Sequence, residues 1–253
     1  MTSRPTKTAL VTGASRGIGR AIARQLAESG FRVGLHYHRN DAAAEATCAA
    51  LAGEHHVLLA ADLSLPAAVP ALATAALAQL DGRVDVLVHN AGIYCPSPVL
   101  DSEDFETWRY AVERQMQLNF FAGAGLARLL APAMAAAGWG RIIQIASRSG
   151  LRGEAGFSGY GASKAAQINF SKSLAAELAP AGIGCFAIAP GWVETDMSAA
   201  ALAEQGDEIR ATIPMGRVAS PEDIAQLVAY LVTPAADYLT GNTIDVNGAS
   251  YLR

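Results

Sequence analysis

The stretch Thr8-Ala9-Leu10-Val11-Thr12, followed by Gly13-Ala14-Ser15-Arg16-Gly17-Ile18-Gly19, leaves few folds open to this chain. A β-branched and apolar run stops at a glycine-rich turn, and an apolar-periodic segment through Ile22, Ala23, Leu26 and Ala27 begins directly behind it. The order is strand, glycine turn, helix. Glycine lets the main chain come close to a ligand, and a helix amino terminus aims unpaired N–H groups at an anion. Placed between a first strand and a first helix, such a turn points to a phosphate-bearing ligand.

The strand-then-helix order recurs along the chain. Residues 31–37, 57–61, 84–89, 141–146, 183–189 and 243–246 read as strands. Between them come a helix from Asp41, an Ala-rich buried helix within 65–80, a helical stretch over 102–138 with Ser102 as its cap, and helices over 158–179 and 221–231. This alternation implies right-handed crossovers and a mostly parallel sheet. Ligands of such a sheet sit at the carboxyl ends of its strands, where Gly13, Asp62 and Asn90-Ala91-Gly92 all fall. Residues 195–214 are rich in small side chains without a strand pattern and suit a lid over that site. One α/β domain over residues 1–253 accounts for the whole length.

Composition removes several function classes. The chain is 51% hydrophobic and 17% charged, and its formal charge of -4 offers no basic footprint for nucleic acid. Cys48, Cys95 and Cys185 are an odd number at unrelated spacings, which suggests neither a disulfide framework nor a metal site and fits a reducing, cytoplasmic setting. Residues 1–7 lack the apolar region of a secretory signal. The most membrane-like run, 65–80, is shorter than a ~20-residue span and holds Pro66 and Pro70, so no membrane partner is expected.

Chemistry concentrates at Tyr160-Gly161-Ala162-Ser163-Lys164. Residues four apart share a helix face, so Tyr160 and Lys164 project together. A neighbouring ammonium lowers the pKa of a phenol from its usual ~10, fitting it for general acid or base work. Ser147 arrives at the end of the fifth strand. Where a dinucleotide-binding fold usually places an acid after its second strand, this chain has Tyr37-His38-Arg39-Asn40. His38 and Arg39, with Arg16 in the turn, gather positive charge suited to a ribose 2′-phosphate. Asn119, between Leu118 and Phe120, reads as a structural hydrogen bonder, a kink or a water site.

Taken in order, these residues resemble the short-chain dehydrogenase/reductase family over nearly the whole chain: Thr12-Gly13-x-x-x-Gly17-x-Gly19, Asp62, Asn90-Ala91-Gly92, Asn119, Ser147, Tyr160-x-x-x-Lys164, and Pro190-Gly191 followed by Thr195. The resemblance implies a Rossmann-type doubly wound parallel sheet of about seven strands with helices on both faces, and hydride transfer between NAD(P) and a carbonyl or alcohol. It implies Tyr160 as acid or base, Lys164 on the nicotinamide ribose, Ser147 as donor to the substrate oxygen and Asn119 as holder of a relay water. Thr12, Gly13, Ser15, Arg16, Gly17, Ile18 and Gly19 would take the pyrophosphate, and Asp62 and Leu63 the adenine. Asn90, Ala91 and Gly92 would lie along the adenosine side, and Pro190, Gly191, Val193 and Thr195 along the nicotinamide. His89 departs from a common Asn with little expected effect, and Asn247-Gly248-Ala249-Ser250 departs from a common Gly-Gly pair.

Within the family the patterns near Pro190 and Pro214 look most like reductases of 3-oxoacyl thioesters, and Tyr37 in place of an acid with Arg16, His38 and Arg39 nearby gives the expectation of an NADP(H) cofactor. Small ketones, sugars or polyols form the alternative substrate class, and a catalytically silent cofactor sensor the alternative kind of protein. A homotetramer or homodimer is expected, with Ala165, Ala166, Ile168 and Phe170 available for burial.

Overall fold

A computed structural model describes residues 6–100 and 104–253. β1 (Thr8–Val11) and β4 (Val86–His89) are buried along their whole length, so they read in the sequence as nearly unbroken apolar runs. Alternate side chains divide between two cores. Ala9 and Val11 join Ile22, Leu26 and Ile224 on one face of the sheet, and Leu10 joins Leu72, Leu126 and Leu130 on the other. β2 (Arg32–Tyr37), β3 (Val57–Ala60), β5 (Gly140–Ile145), β6 (Ile183–Pro190) and β7 (Thr243–Val246) complete a parallel seven-stranded sheet in the order β3-β2-β1-β4-β5-β6-β7. This is the doubly wound sheet that the alternating pattern predicts.

α1 (Gly17–Glu28), α2 (Asp41–Ala49) and α8 (Pro221–Leu231) cover the first face. α3 (Ala68–Gln79), α5 (Ala122–Ala137) and α6 (Ser158–Leu178) cover the second, with α4 (Phe105–Gln115) against α6, and α7 (Ala199–Ala211) joins a small cluster with Trp192 through Ile209. The chain winds outward from β1 to β3 and then returns to pair β4 with β1, so a crevice opens at the reversal. Register pairs Val11 with Val88 and Ile145 with Ile188, which brings the carboxyl ends of β1, β4, β5 and β6 out level.

Several local expectations change. Asn40, one residue before Asp41, caps α2 by accepting from Ala43 N at 3.0 Å, because its side-chain oxygen sits where the third helical N–H points. The Ala-rich helix buries one face only, through Val69, Leu72, Ala73 and Ala76. The stretch 102–138 is α4, a π-helical turn (Met116–Phe121) and α5; Asp104 caps α4, and Ser102 lies outside the described residues. By length and composition Phe105–Ala137, rather than 65–80, is long and apolar enough to cross a membrane, and its Ala122, Leu126, Leu130 and Met134 pack into the second core. The 195–214 segment holds α7. Ile168, expected at a subunit contact, is 4% exposed and packs on Ala146 and Ala187 within the chain.

Candidate active site

The glycine turn depends on contacts that no side chain could share. Gly13 and Gly17 have φ of 64° and 52°, and a Cβ on Gly19 would lie 2.2 Å from the Gly13 carbonyl oxygen. Arg16 is the extended N-cap of α1, yet its side chain makes no capping bond, and the first turn holds no acid. The helix amino terminus therefore keeps its N–H donors and its positive dipole end for a ligand.

Asn90, His36 and Thr12 hold the start of this turn. Asn90 Nδ2 donates to the carbonyls of Thr12 and Gly13 at 3.0 and 3.1 Å. His36 Nδ1 accepts from Gly13 N at 3.1 Å, and its Nε2 faces the Ala61 carbonyl at 3.1 Å. Burial pushes His36 down to about 4, so it stays neutral with its proton on Nε2. Thr12 Oγ1 accepts from Asn90 N and Ala91 N at 3.0 and 2.9 Å, which leaves its own hydrogen for His89 Nδ1, 3.1 Å away. His89 Nε2 then donates to the Asn119 carbonyl at 3.1 Å. Burial holds His89 near 3, with the Lys164 charge adding to the same direction. Gly123 makes room for the ring, since a Cβ there would lie 2.4 Å from His89 Cδ2.

Asn119 sits in the π-helical turn, where the widened backbone directs it inward. Its Oδ1 accepts from Ile93 N at 2.8 Å, and its Nδ2 donates to the Ile93 carbonyl and to Ser163 Oγ at 3.0 and 2.9 Å. Ser163 Oγ donates in turn to the Tyr160 carbonyl at 2.7 Å. The residue read as a structural hydrogen bonder is thus the link between the loop after β4 and α6.

Tyr160 and Lys164 project together from α6 as their spacing predicts and share the cleft wall with Ser147, but their charge states run against the expectation. Burial raises Tyr160 to about 12; the Ser147 hydroxyl opposes this and Glu154 adds to it. Burial lowers Lys164 to about 7. The Lys164 Nζ donates to the Ile145 carbonyl at 2.8 Å and lies 5.6 Å from the Tyr160 ring centroid. At that separation loss of water outweighs the pull of the ammonium on the phenol.

These groups line one cleft of about 390 Å³. Every residue expected at the cofactor or the reacting group lines it except Thr12, Gly19, Arg39 and Asn119. Thr12 and Asn119 are fully buried behind the wall, Gly19 fills the close approach beneath the turn, and Arg39 lies outside on His38. Sequence reasoning missed His36, Tyr94, Ser149, Glu154, Trp192 and Met197 as wall residues. Glu154 could have been noticed as the sole acid between Ser147 and Tyr160.

Residues 13–249 match the family model described as Enoyl-(Acyl carrier protein) reductase. The 3-oxoacyl-[acyl-carrier-protein] reductase FabG of Escherichia coli (strain K12) is 40% identical over 247 residues, covering 97% of this chain and 98% of that protein. The chain belongs to the short-chain dehydrogenase/reductase family. Nodulation protein G of Rhizobium sp. (strain N33), 42% identical over 240 residues and 95% of each chain, is a further relative. A solved structure titled as a putative NAD(P)-dependent gluconate 5-dehydrogenase from Beutenbergia cavernae, with bound NADP at low occupancy, superposes with a TM-score of 0.86 at 36% identity over 96% of both chains.

As a short-chain dehydrogenase/reductase the protein is an oxidoreductase, and its cleft fits a nicotinamide dinucleotide. The uncapped α1 terminus and the side-chain-free path over Gly13 and Gly17 suit a pyrophosphate. When bound, that cofactor supplies or takes the hydride.

Lys164 also gives a stability prediction. Its pKa is about 7 folded and near 10.4 unfolded, so the unfolded chain binds more protons between these values. The burial penalty is therefore full below about pH 7 and shrinks as pH rises towards the ordinary lysine value. Lys164→Met should raise the melting temperature of the cofactor-free protein at about pH 6, and by clearly less at about pH 10. An equal or reversed effect at the two pH values, read by calorimetry, would contradict the buried-charge account.

Proposed function

We propose that the protein is an NADP(H)-dependent reductase of 3-oxoacyl thioesters or similarly sized 3-oxo compounds. The observation that carries this reading is Ser147, Tyr160 and Lys164 on the wall of the same cleft as the uncapped glycine turn. Tyr160, held protonated by burial, gives its proton to the carbonyl oxygen as hydride arrives at carbon. Ser147 donates a hydrogen bond to that oxygen, where preorganised donors act best on developing charge. Lys164 holds the ribose side of the cofactor, and Asn119 keeps α6 in register with the turn beside it.

The NADP(H) preference rests on Arg16 and His38 at the adenosine end, with Arg39 bonded to His38 and with Tyr37, whose hydroxyl bonds the Asp41 carboxylate, standing where an acid is usual. Asp62 meets His38 at 3.3 Å, and Asp196 meets Arg16 at 3.1 Å across the mouth. The Arg16 pair is two-thirds exposed, so it is weak and can open for a 2′-phosphate. Assembly into a homotetramer or homodimer is the accompanying proposal, supported by exposed Phe105, Tyr110, Phe121 and Leu129 along α4, the π-helical turn and α5.

The match to 3-oxoacyl-[acyl-carrier-protein] reductases supports the thioester substrate, while the likeness to a putative gluconate dehydrogenase keeps small hydroxylated ketones as a second reading. A carrier protein is acidic and needs cations at the mouth. The helix ends Ala135-Ala136-Ala137-Gly138-Trp139 and Ala179-Pro180-Ala181-Gly182, which carry none, lead into the amino ends of β5 and β6, away from the cleft, and the only arginines of the cleft wall among the described residues are Arg16 and Arg148. The test measures one 3-oxoacyl chain on a small thiol and on carrier protein, with NADPH and with NADH, beside a panel of ketones and keto-sugars. NADPH should be preferred, both acyl forms should turn over at comparable kcat/KM, and Tyr160→Phe should lose about 10² to 10⁴ in kcat while still binding NADPH. Indifference to the cofactor's 2′-phosphate, near-native turnover by Tyr160→Phe, or turnover confined to the keto-sugars would contradict the respective parts of this reading.

A further inference from the structure

Two arginines are buried among the described residues, and they are treated very differently. Arg141 is 1% exposed and its guanidinium donates to the carbonyls of Leu231, Gly140 and Thr233 and to the Asp237 carboxylate. Arg148 is 7% exposed, and Ser250 Oγ is the one acceptor it has among the described residues. A guanidinium is always charged and carries five N–H donors, and burying such a group with a single neutral partner is costly. Arg148 follows Ser147 directly and lines the same cleft.

The obvious internal partner is engaged elsewhere. Glu154 also lines the cleft, but its Oε1 accepts from the Tyr94 hydroxyl at 2.8 Å and its Oε2 accepts from Ser149 Oγ. Tyr94 is itself fixed, stacked on Phe157 with ring centroids 4.1 Å apart and edge-on to Tyr160 at 4.8 Å. No ion pair within 4 Å joins Arg148 to any carboxylate of the described residues. Arg152, four residues on, is an exposed cation and adds charge of the same sign. An acceptor-rich ligand in the substrate half of the cleft would complete the guanidinium without moving the protein.

We propose that Arg148 is a subsite for a second acceptor oxygen of the substrate and so determines which ketones the enzyme accepts. Its neighbour Ser147 receives the reacting carbonyl, so the second oxygen lies a few bonds away. In a 3-oxo compound that oxygen is at C1, and it is a thioester carbonyl in an acyl carrier or a carboxylate in the free acid. The guanidinium serves both, and its charge favours the carboxylate more. The choice of 3-oxo compounds rests on the function proposed above; the subsite itself does not.

The experiment compares wild type, Arg148→Met and Arg148→Lys on three ketones with NADPH: an acetoacetyl thioester of a small thiol, free acetoacetate, and 2-pentanone, which lacks a second oxygen. A fourth arm uses butyrate, a carboxylate without a ketone, as an inhibitor of 2-pentanone reduction. Loss of a hydrogen bond to a charged group should raise KM for the 3-oxo substrates on the order of tenfold in Arg148→Met, with kcat little changed. The KM for 2-pentanone and the NADPH Kd should hold within about twofold, and Arg148→Lys should restore part of the loss. A rise confined to acetoacetate assigns the subsite to an anion, and a rise on both substrates assigns it to the C1 oxygen in general. Equal losses on 2-pentanone, or unchanged KM on every ketone, would overturn the proposal. If wild type reduces 2-pentanone but neither 3-oxo compound, the 3-oxo reading fails. In that case competitive inhibition by butyrate that disappears in Arg148→Met still supports the subsite, and inhibition that persists overturns it.

Discussion

Thr12 Oγ1 accepts two backbone N–H groups and passes its own hydrogen to His89, and the site's geometry follows from that exchange. With both N–H donors fixed on one side, the direction of the chain has no freedom. It runs from Thr12 to His89, to the Asn119 carbonyl, and from the Asn119 side chain through Ser163 to the Tyr160 carbonyl. One end is the glycine turn and the other is the backbone of Tyr160, the proton donor we propose. The links are buried, where hydrogen bonds are strong when complete and costly when broken, so the turn and α6 are held in one register. The histidine that the sequence treats as a minor departure is the middle of this chain, and Gly123 is the space cut for it.

Burial sets the charge of Tyr160 and Lys164 as well as their position. Lys164 is buried and Tyr160 is half-buried on the cleft wall, and both shift towards their neutral forms. A neutral phenol is a proton donor, which is the form that carbonyl reduction needs. Glu154 adds to the same shift from across the cleft, while the Ser147 hydroxyl opposes it. The substrate half of the cleft therefore carries separated charges, Arg148 and Glu154, beside a neutral acid.

The sheet, its order of elements and the wall from Gly13 to Thr195 were legible because they follow from local rules: unbroken apolar strands, a glycine turn before a helix, and polar residues at strand ends. Helix boundaries were less so. A π-helical turn interrupts the stretch read as one helix over 102–138, and Ile168 turns inward because α6 packs on β5 and β6 where helical spacing alone shows no face. The charge states were not legible, since a Tyr and a Lys four apart show their proximity and not their loss of solvent. Tyr94 comes from the loop after β4 and Arg148 and Glu154 from the stretch between β5 and α6, a meeting that no spacing in one segment can reveal.

The claim that burial rather than Lys164 governs Tyr160 can be measured directly in the cofactor-free protein. Ultraviolet difference titration of tyrosinate, wild type against Tyr160→Phe, isolates this one phenol. The account predicts that the two proteins give the same curve through neutral pH and separate only in the strongly alkaline range, above the usual tyrosine value of about 10. A tyrosinate signal appearing near neutral pH in wild type and missing from Tyr160→Phe would contradict it.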